Sequence, residues 1–324
     1  EIRLSLVGSE MCIRDRTMVE LLVTPKSITH METLIEKGAD AFVIGEQKFG
    51  LRLPGEFNRE MMKEAVEIAH RNNKKVYAAV NGLFHNYHLD ALEDYIHFLH
   101  QIQVDRIIFG DPAVVMFVKK QSNPIPLHWD AGALVTNYFQ CNYWGKKGAS
   151  RAVLAKELSL EEMINIKKNA NVEIEVQVHG MTCMFQSKRM LLGNYYTFQD
   201  RQMKIERNNA QQDLLLYDEE RDNKYPVFED YNGTHIMSPN DICLIEELEP
   251  FFEAGIDAFK IDGVLQSEDY INVVTEQYRE AIDLYNEDPE AYDDEKFMLV
   301  DPIEEIQPEH RPFDEGFLYK QTVY

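Results

Sequence analysis

Between residues 173 and 179 apolar and polar positions alternate with a period of two. Ile174, Val176 and Val178 fall on one face, and Glu173, Glu175, Gln177 and His179 on the other. That is the pattern of a strand. A strand with one charged face meets solvent there or lines a polar cavity. Gly180 lets the backbone turn, and His179 and Cys183 come just past the strand's end. Similar short apolar runs occupy 20–24, 39–45, 75–81, 106–110, 126–130, 152–155 and 257–262, which with 172–179 makes eight candidate strands. Amphipathic stretches at 28–37, 59–72, 89–103, 112–120 and 160–168 lie between them and predict helices. Pro112 after Asp111 suits a first helical position, and Ser159 before Glu161 and Glu162 suits an N-cap.

Eight strand–helix units are the count of a (β/α)8 TIM-like barrel; an open doubly wound sheet is the second reading. The barrel is preferred because polar residues recur at strand ends all along the chain, at Glu46, Asn81, Asp111, Asp130, Glu157, His179 and Asp262. One segment, 184–256, breaks the rhythm. It holds a predicted hairpin at 225–238 with Asn232-Gly233 as its turn. A predicted helix follows, with Ser238 as N-cap, Pro239 in its first turn, and Ile242, Ile245, Leu248 and Phe252 on its buried face. This α+β insertion between strands seven and eight is expected to sit over the barrel mouth like a lid. The barrel itself is assigned to 18–183 and 257–286.

The chain has 324 residues and a net charge of −23. Such a surface repels phosphate backbones, so any dealing with RNA calls for a partner that supplies basic surface. From Asp283 to Glu315 there are 13 acidic and 2 basic residues, read as part of a solvated acidic C-terminal segment, 287–324. No apolar run reaches the roughly 18 residues of a membrane span. The four cysteines, Cys12, Cys141, Cys183 and Cys243, form no Cys-x-x-Cys pair, which predicts neither disulfides nor a metal site and fits a reducing, cytoplasmic setting. Residues 5–16 resemble translated sequencing-adapter DNA. Residues 1–17 are therefore expected to be a non-native leader that packs poorly, with Met18 as the native start.

Two motifs carry a resemblance. His179-Gly180-x-x-Cys183, preceded by Glu175, and Phe259-Lys260-Ile261-Asp262-Gly263-Val264 resemble the collagenase-like peptidase U32 family. So do Gly38–Ala41, Asn81, Glu157-Leu158-Ser159 and Asn232-Gly233-Thr234. The resemblance runs from about Glu20 to Tyr285 and implies a barrel of this type. It implies two competing activities: peptide hydrolysis, and hydroxylation of RNA, including the wobble-region uridine of tRNA to 5-hydroxyuridine with prephenate as co-substrate. Related members hold a 4Fe–4S cluster on four cysteines. Only Cys183 remains of that set here, with Met190 at the second position, so no cluster is expected on this chain alone. The resemblance is to the smaller of two paired bacterial members. It implies a larger, cysteine-containing partner that carries the cluster and an indirect contact with tRNA.

The candidate catalytic residues are His179, as acid/base or ligand-binding group, and Cys183, as a nucleophile if it is a thiolate. A hydrogen-bonded rim histidine and a small packed cysteine are the plainer alternatives. No Asn or Asp is obviously placed to orient His179. The candidate substrate-binding residues are Glu46, Arg52, Asn81, Asp130, Glu157, Glu175, Lys260 and Asp262; no metal ligands are assigned. Glu175 and Lys260 are expected on one inward face and are expected to pair, drawing in Asp262 or Gln177. Arg52 could clamp a carboxylate or phosphate through its planar fork. A third function, a non-catalytic scaffold for the partner, stands beside the two enzymatic ones.

Overall fold

The computed structural model describes residues 19–200 and 214–320. The adapter-like leader with Met18, residues 201–213 and the last four residues lie outside them. The strands are β1 (Glu20–Val23), β2 (Ala41–Ile44), β3 (Lys75–Val80), β4 (Arg106–Phe109), β5 (Leu127–Trp129), β6 (Ala149–Val153), β7 (Glu173–Ser187), β8 (Leu215–Asp218), β9 (Asn223–Asp230), β10 (Gly233–Cys243), β11 (Ala258–Ile261) and β12 (Phe313–Asp314). The α-helices are α1 (Ile28–Glu36), α2 (Arg59–Arg71), α3 (Leu89–Gln101), α4 (Pro112–Val118), α5 (Tyr138–Lys146), α6 (Leu160–Asn169), α7 (Leu191–Phe198), α8 (Glu249–Ala254), α9 (Glu268–Glu287) and α10 (Pro289–Glu304).

Strands β1 to β7 pair in sequence order, all parallel, and β11 closes the ring by pairing with both β7 and β1. The fold is therefore a closed (β/α)8 barrel. Its two faces follow the alternation in each strand. Leu21, Val23, Phe42, Ile44, Val76, Ala78 and Val80 point outward into the main core under the helices. Leu22, Ala41, Val43, Tyr77, Ala79 and Ile108 point inward and pack as a small separate cluster. Burying each large outward side chain contributes about 1.5–3 kcal/mol. Helix starts match their capping chemistry: Ser159 and Glu162 form a capping box on α6, and Asp111 caps α4 ahead of Pro112.

The amino-terminal end of the barrel is plugged by charge. Arg151 on β6 reaches Glu20 at 2.8 Å, Glu173 at 2.9 Å and Glu175 at 3.5 Å. Lys75 and the Tyr77 hydroxyl also bond Glu20, both at 2.8 Å.

Strand β7 continues past the barrel to Ser187 and pairs antiparallel with β10, which pairs with β9, which pairs with β8. The hairpin turn falls at Asn232-Gly233 as the sequence suggests. The helix expected from Ser238 does not form: Ser238 to Cys243 belong to β10, and the helix is the shorter α8. The cap-like Ser-Pro pair is used otherwise. The β7–β10 register jumps between Met237 and Asp241, leaving two extra residues on β10. Pro239 sits in that bulge, where no ladder donor is needed. Ser238 Oγ accepts from Thr182 N at 2.9 Å and donates to the Asn240 carbonyl at 2.7 Å.

The C-terminal segment is likewise not a solvated tail throughout. Helix α10 packs on α9 and buries Tyr292, Leu299 and Ile303. The following stretch lays β12 beside β10, where Arg311 pairs with buried Asp241 at 2.5 Å. Apolar residues spaced along α10 outweigh its acidity. Among the described residues no helix is long and apolar enough to cross a membrane.

Candidate functional site

The carboxyl ends of the barrel strands surround a cleft enclosing about 900 Å³, its open mouth included. The sequence candidates Arg52, Asn81, Asp130, Glu157, Glu175, Cys183, Lys260 and Asp262 all line it, from strand ends and loops around the whole ring. Glu46 and His179 do not. Glu46 turns toward the start of α2, where Arg59 lies at 3.4 Å.

His179 leaves the cleft because the ladder slips. Lys260 is opposite Gln177, but Ile261 is opposite His179, so Val178 is an extra residue. A one-residue bulge reverses every later side chain. His179 consequently points outward, fully buried, with Nε2 at 2.8 Å from the Tyr270 hydroxyl and its ring among Tyr278 and Phe313. Its placement on the same face as Glu175 and Gln177 is thus corrected. Burial pushes its pKa down to about 4; Asp241 opposes this and Arg311 adds to it. A histidine depressed in the folded state is protonated more readily when unfolded, so stability falls as pH drops from about 6.5 toward 4. Wild-type protein is expected to lose about 2 kcal/mol between pH 7 and pH 5 through this group alone. In His179→Phe that part of the loss should vanish, as read from urea midpoints at the two pH values.

Inside the cleft, opposite charges are held close. Lys260 Nζ lies 3.4 Å from Asp262, while Glu175 meets Arg151 below. Glu175 and Lys260 share the inward face, and Asp262 is the direct partner of Lys260. Burial raises Glu175 above the usual carboxylate range, against Arg151 and Lys260. Burial would raise Asp130 and Asp262 too, but Lys260, Lys156 and Arg52 outweigh it and hold both below that range. Asn81 connects the wall: its Nδ2 donates to Asp130 at 3.0 Å and its Oδ1 accepts from Leu51 N at 2.9 Å. That bond positions the loop carrying Arg52, itself in the left-handed region at φ 52°. Arg52 Nη1 donates to Gln186 on β7 at 3.1 Å.

Lys156 and the His235–Asp230 pair carry no signal singled out from sequence, and Gln177 was expected there only as a partner of Glu175 and Lys260. Lys156, just past β6, lines the cleft, and among the described residues its ammonium has no hydrogen bond or ion pair. Burial, with Lys260 and Arg52 adding to it, lowers its pKa to about 8. Gln177 is 5% exposed; its Nε2 donates to the Met181 carbonyl, but its Oε1 has no partner. Behind Cys183, the buried His235 of β10 donates from Nε2 to Asp230 of β9 at 2.8 Å. The hairpin register assembles that pair, and only the Asp-x-x-x-x-His spacing across the Asn-Gly turn hinted at it.

The three cysteines among the described residues do not come together. Cys141 is buried on α5, Cys243 lies beside Tyr278, and Cys183 is at the cleft. Among the described residues no three His, Cys, Asp or Glu side chains converge as metal ligands. The donor set at this site does not fit a four-thiolate iron–sulfur cluster.

The family model for peptidase family U32 matches residues 26–323. The chain belongs to this family. It is 55% identical over 305 residues to tRNA hydroxylation protein P2 of Bacillus subtilis strain 168, covering 94% of this chain and 99% of that one. It is 32% identical over 274 residues to tRNA hydroxylation protein P1 of the same strain, covering 84% of this chain but only 65% of that longer protein. A relative in Methanocaldococcus jannaschii, named as an uncharacterized protease, is 30% identical over 309 residues, with 94% and 74% covered.

Proposed function

We propose that this U32 member is a component of a tRNA hydroxylation system that forms 5-hydroxyuridine, working with a longer, cysteine-bearing relative. The observation that carries this reading is the end-to-end match to tRNA hydroxylation protein P2. The pairing is supported by the coexistence in one bacterium of that protein and the longer P1, to which this chain is also similar. The partner would carry any iron–sulfur cluster, since this chain's donor set does not fit one. It would also supply the cationic surface for tRNA that a chain of net charge −23 lacks.

The role of this chain's cleft is to hold a small anion, with prephenate the proposed co-substrate. Arg52 has guanidinium N–H groups to spare and Lys156 a free ammonium, so the mouth offers two cations to a carboxylate. Asp130 and Asp262 stay ionised against Lys260, Lys156 and Arg52, which leaves one net positive charge at the mouth for a carboxylate. A pit closed by eight strand ends suits a small molecule better than an extended peptide, which favours hydroxylation over peptidase chemistry.

Deleting the gene is expected to abolish or strongly reduce 5-hydroxyuridine in tRNA, measured by nucleoside mass spectrometry. Restoring the gene as Lys156→Met should leave the level well below wild type. Unchanged 5-hydroxyuridine after deletion would sink the reading.

A further inference from the structure

The thiol at the rim of this cleft is backed by two groups that no sequence motif announced. Cys183 lines the cleft, half-buried, with its Sγ at 3.4 Å from the Phe185 carbonyl. In the β7–β10 ladder it stands opposite Met237, and His235 lies two residues along the same face of β10. The imidazole of His235 is wholly buried and stacks on Phe228, ring centres 4.8 Å apart. Its Nε2 is engaged by Asp230, itself 5% exposed, so a neutral ring carries its proton there and leaves Nδ1 as the base. Nδ1 makes no hydrogen bond of normal geometry and is left for the thiol beside it. Carboxylate, imidazole and thiol in series are the parts of an activated nucleophile with an orienter. The cleft adds what a ligand needs: the buried, unpartnered Gln177 Oε1 and the free Lys156 ammonium.

We infer that Cys183 is a nucleophile toward small carboxylate-bearing electrophiles, with His235 as its base and Asp230 as a positioning residue. Lys156 and Arg52 hold the carboxylate. This rests on the reading of the cleft as an anion site, and assigns it a reactive group. With a carbonyl carbon as electrophile, His235 takes the thiol proton and the sulfur lone pair forms the C–S bond. The C=O π pair moves to oxygen, which takes the proton back from His235. The adduct is neutral at the new centre, reversible, and needs no oxidant or reductant.

The surrounding charges agree with this assignment. Burial would raise the Cys183 pKa, but His235, Arg52 and Lys156 bring it below its ordinary value. Burial would lower that of His235, but Asp230 and the thiol lift it, against Arg52. Lys188, facing Asp230 from the end of β7, is the remaining charged neighbour.

The test uses the full chain and needs neither tRNA nor a partner. Alkylation of Cys183 is followed by peptide mass spectrometry with iodoacetamide and with iodoacetate from pH 5 to pH 9. In each reaction sulfur bonds carbon, iodide leaves and the thiol proton is lost to base. An ordinary thiol loses about tenfold in rate per unit below pH 8. Wild type is expected to hold its rate to well below pH 8, and Asp230→Asn and His235→Asn to slow about tenfold at pH 6, the lower nucleophilicity of a low-pKa thiolate limiting the effect. Should His235→Asn fail to fold, the wild-type profile decides alone: an ordinary rise near pH 8–9 overturns the proposal. Lys156→Met is expected to lower the iodoacetate rate several-fold while sparing iodoacetamide. An equal effect on both reagents overturns the carboxylate preference. An ordinary profile leaves the hydroxylation reading standing, because nucleoside analysis tests that separately.

Discussion

Arg151→Ala is expected to cost the barrel about 3–5 kcal/mol, the usual penalty for removing one member of a buried ion cluster. The arginine is 3% exposed and answers three carboxylates, of which Glu175 is 1% exposed and Glu20 8%. Lys75 still reaches Glu20, but nothing else among the described residues lies within ion-pair distance of Glu175. The loss should depend on pH, and its sign follows from the two states of Glu20. In the wild type burial alone would raise its pKa, yet Arg151 and Lys75 hold it below the ordinary carboxylate value. That contribution is present above the unfolded pKa of about 4.5 and is lost as pH falls through the folded one. Without Arg151, burial prevails and the carboxyls move upward. A raised carboxyl costs stability above its unfolded pKa, and the cost is complete above its folded pKa. The deficit of Arg151→Ala should therefore be larger at pH 7 than at pH 5, measured as the difference in urea unfolding free energy from wild type. A deficit under 1 kcal/mol, or one that grows toward acid, would show that the plug is solvated and carries little of the fold.

The barrel was legible because its signal is spread over the whole chain. Eight apolar runs with helical spacing between them leave few alternatives, and each polar residue at a strand end marks the same rim. The cleft inherited that legibility: Asn81, Asp130, Lys260 and Asp262 meet because parallel strands put their carboxyl ends on one side. What pattern could not show are departures from period. Val178 reads as one more apolar step in an alternating strand, yet its extra place in the ladder is what turns His179 outward. Ser238-Pro239 carries the signature of a helix start, but here the missing proline N–H is absorbed by a bulge in β10. The acidic run after Asp283 hides the spacing of Tyr292, Leu299 and Ile303, which is enough to dock α10. Asp230 and His235 flank a recognisable turn, but their meeting with Cys183 depends on the register of two strands, β7 and β10, that are far apart in sequence. Lys156 carries no strand-end signal of its own beside Glu157; both line the cleft, the lysine as the less exposed of the two.

Gly180→Ala should be a strongly damaging single-methyl change at the edge of the cleft. Gly180 has φ +105°, a region side chains rarely occupy, and a Cβ there would lie 2.4 Å from the carbonyl oxygen of Asp262. That carbonyl belongs to backbone fixed by the bond from Asp262 N to the His179 carbonyl at 3.0 Å, so it has little room to yield. Backbone strain alone costs about 1–3 kcal/mol. The collision adds to it and drives β7 away from β11, at the point where Gln177 is turned in and His179 out. Gly148 supplies the control. Its φ is +109°, but nothing lies within 4 Å of its would-be Cβ. Gly148→Ala therefore reports the strain without the clash. Urea unfolding should place Gly180→Ala well below Gly148→Ala, by about 2 kcal/mol or more if the crowding resembles an overpacked core. Because the Asp262 carbonyl and carboxylate move as one residue, the Lys260–Asp262 pair should loosen as well. At a urea-free pH 7, Gly180→Ala that still folds should bind an anionic ligand of the cleft more weakly than Gly148→Ala does, by calorimetry. Equal stability in the two variants would mean that β11 does not press against Gly180, and that the bulge is free to relax without disturbing the cleft.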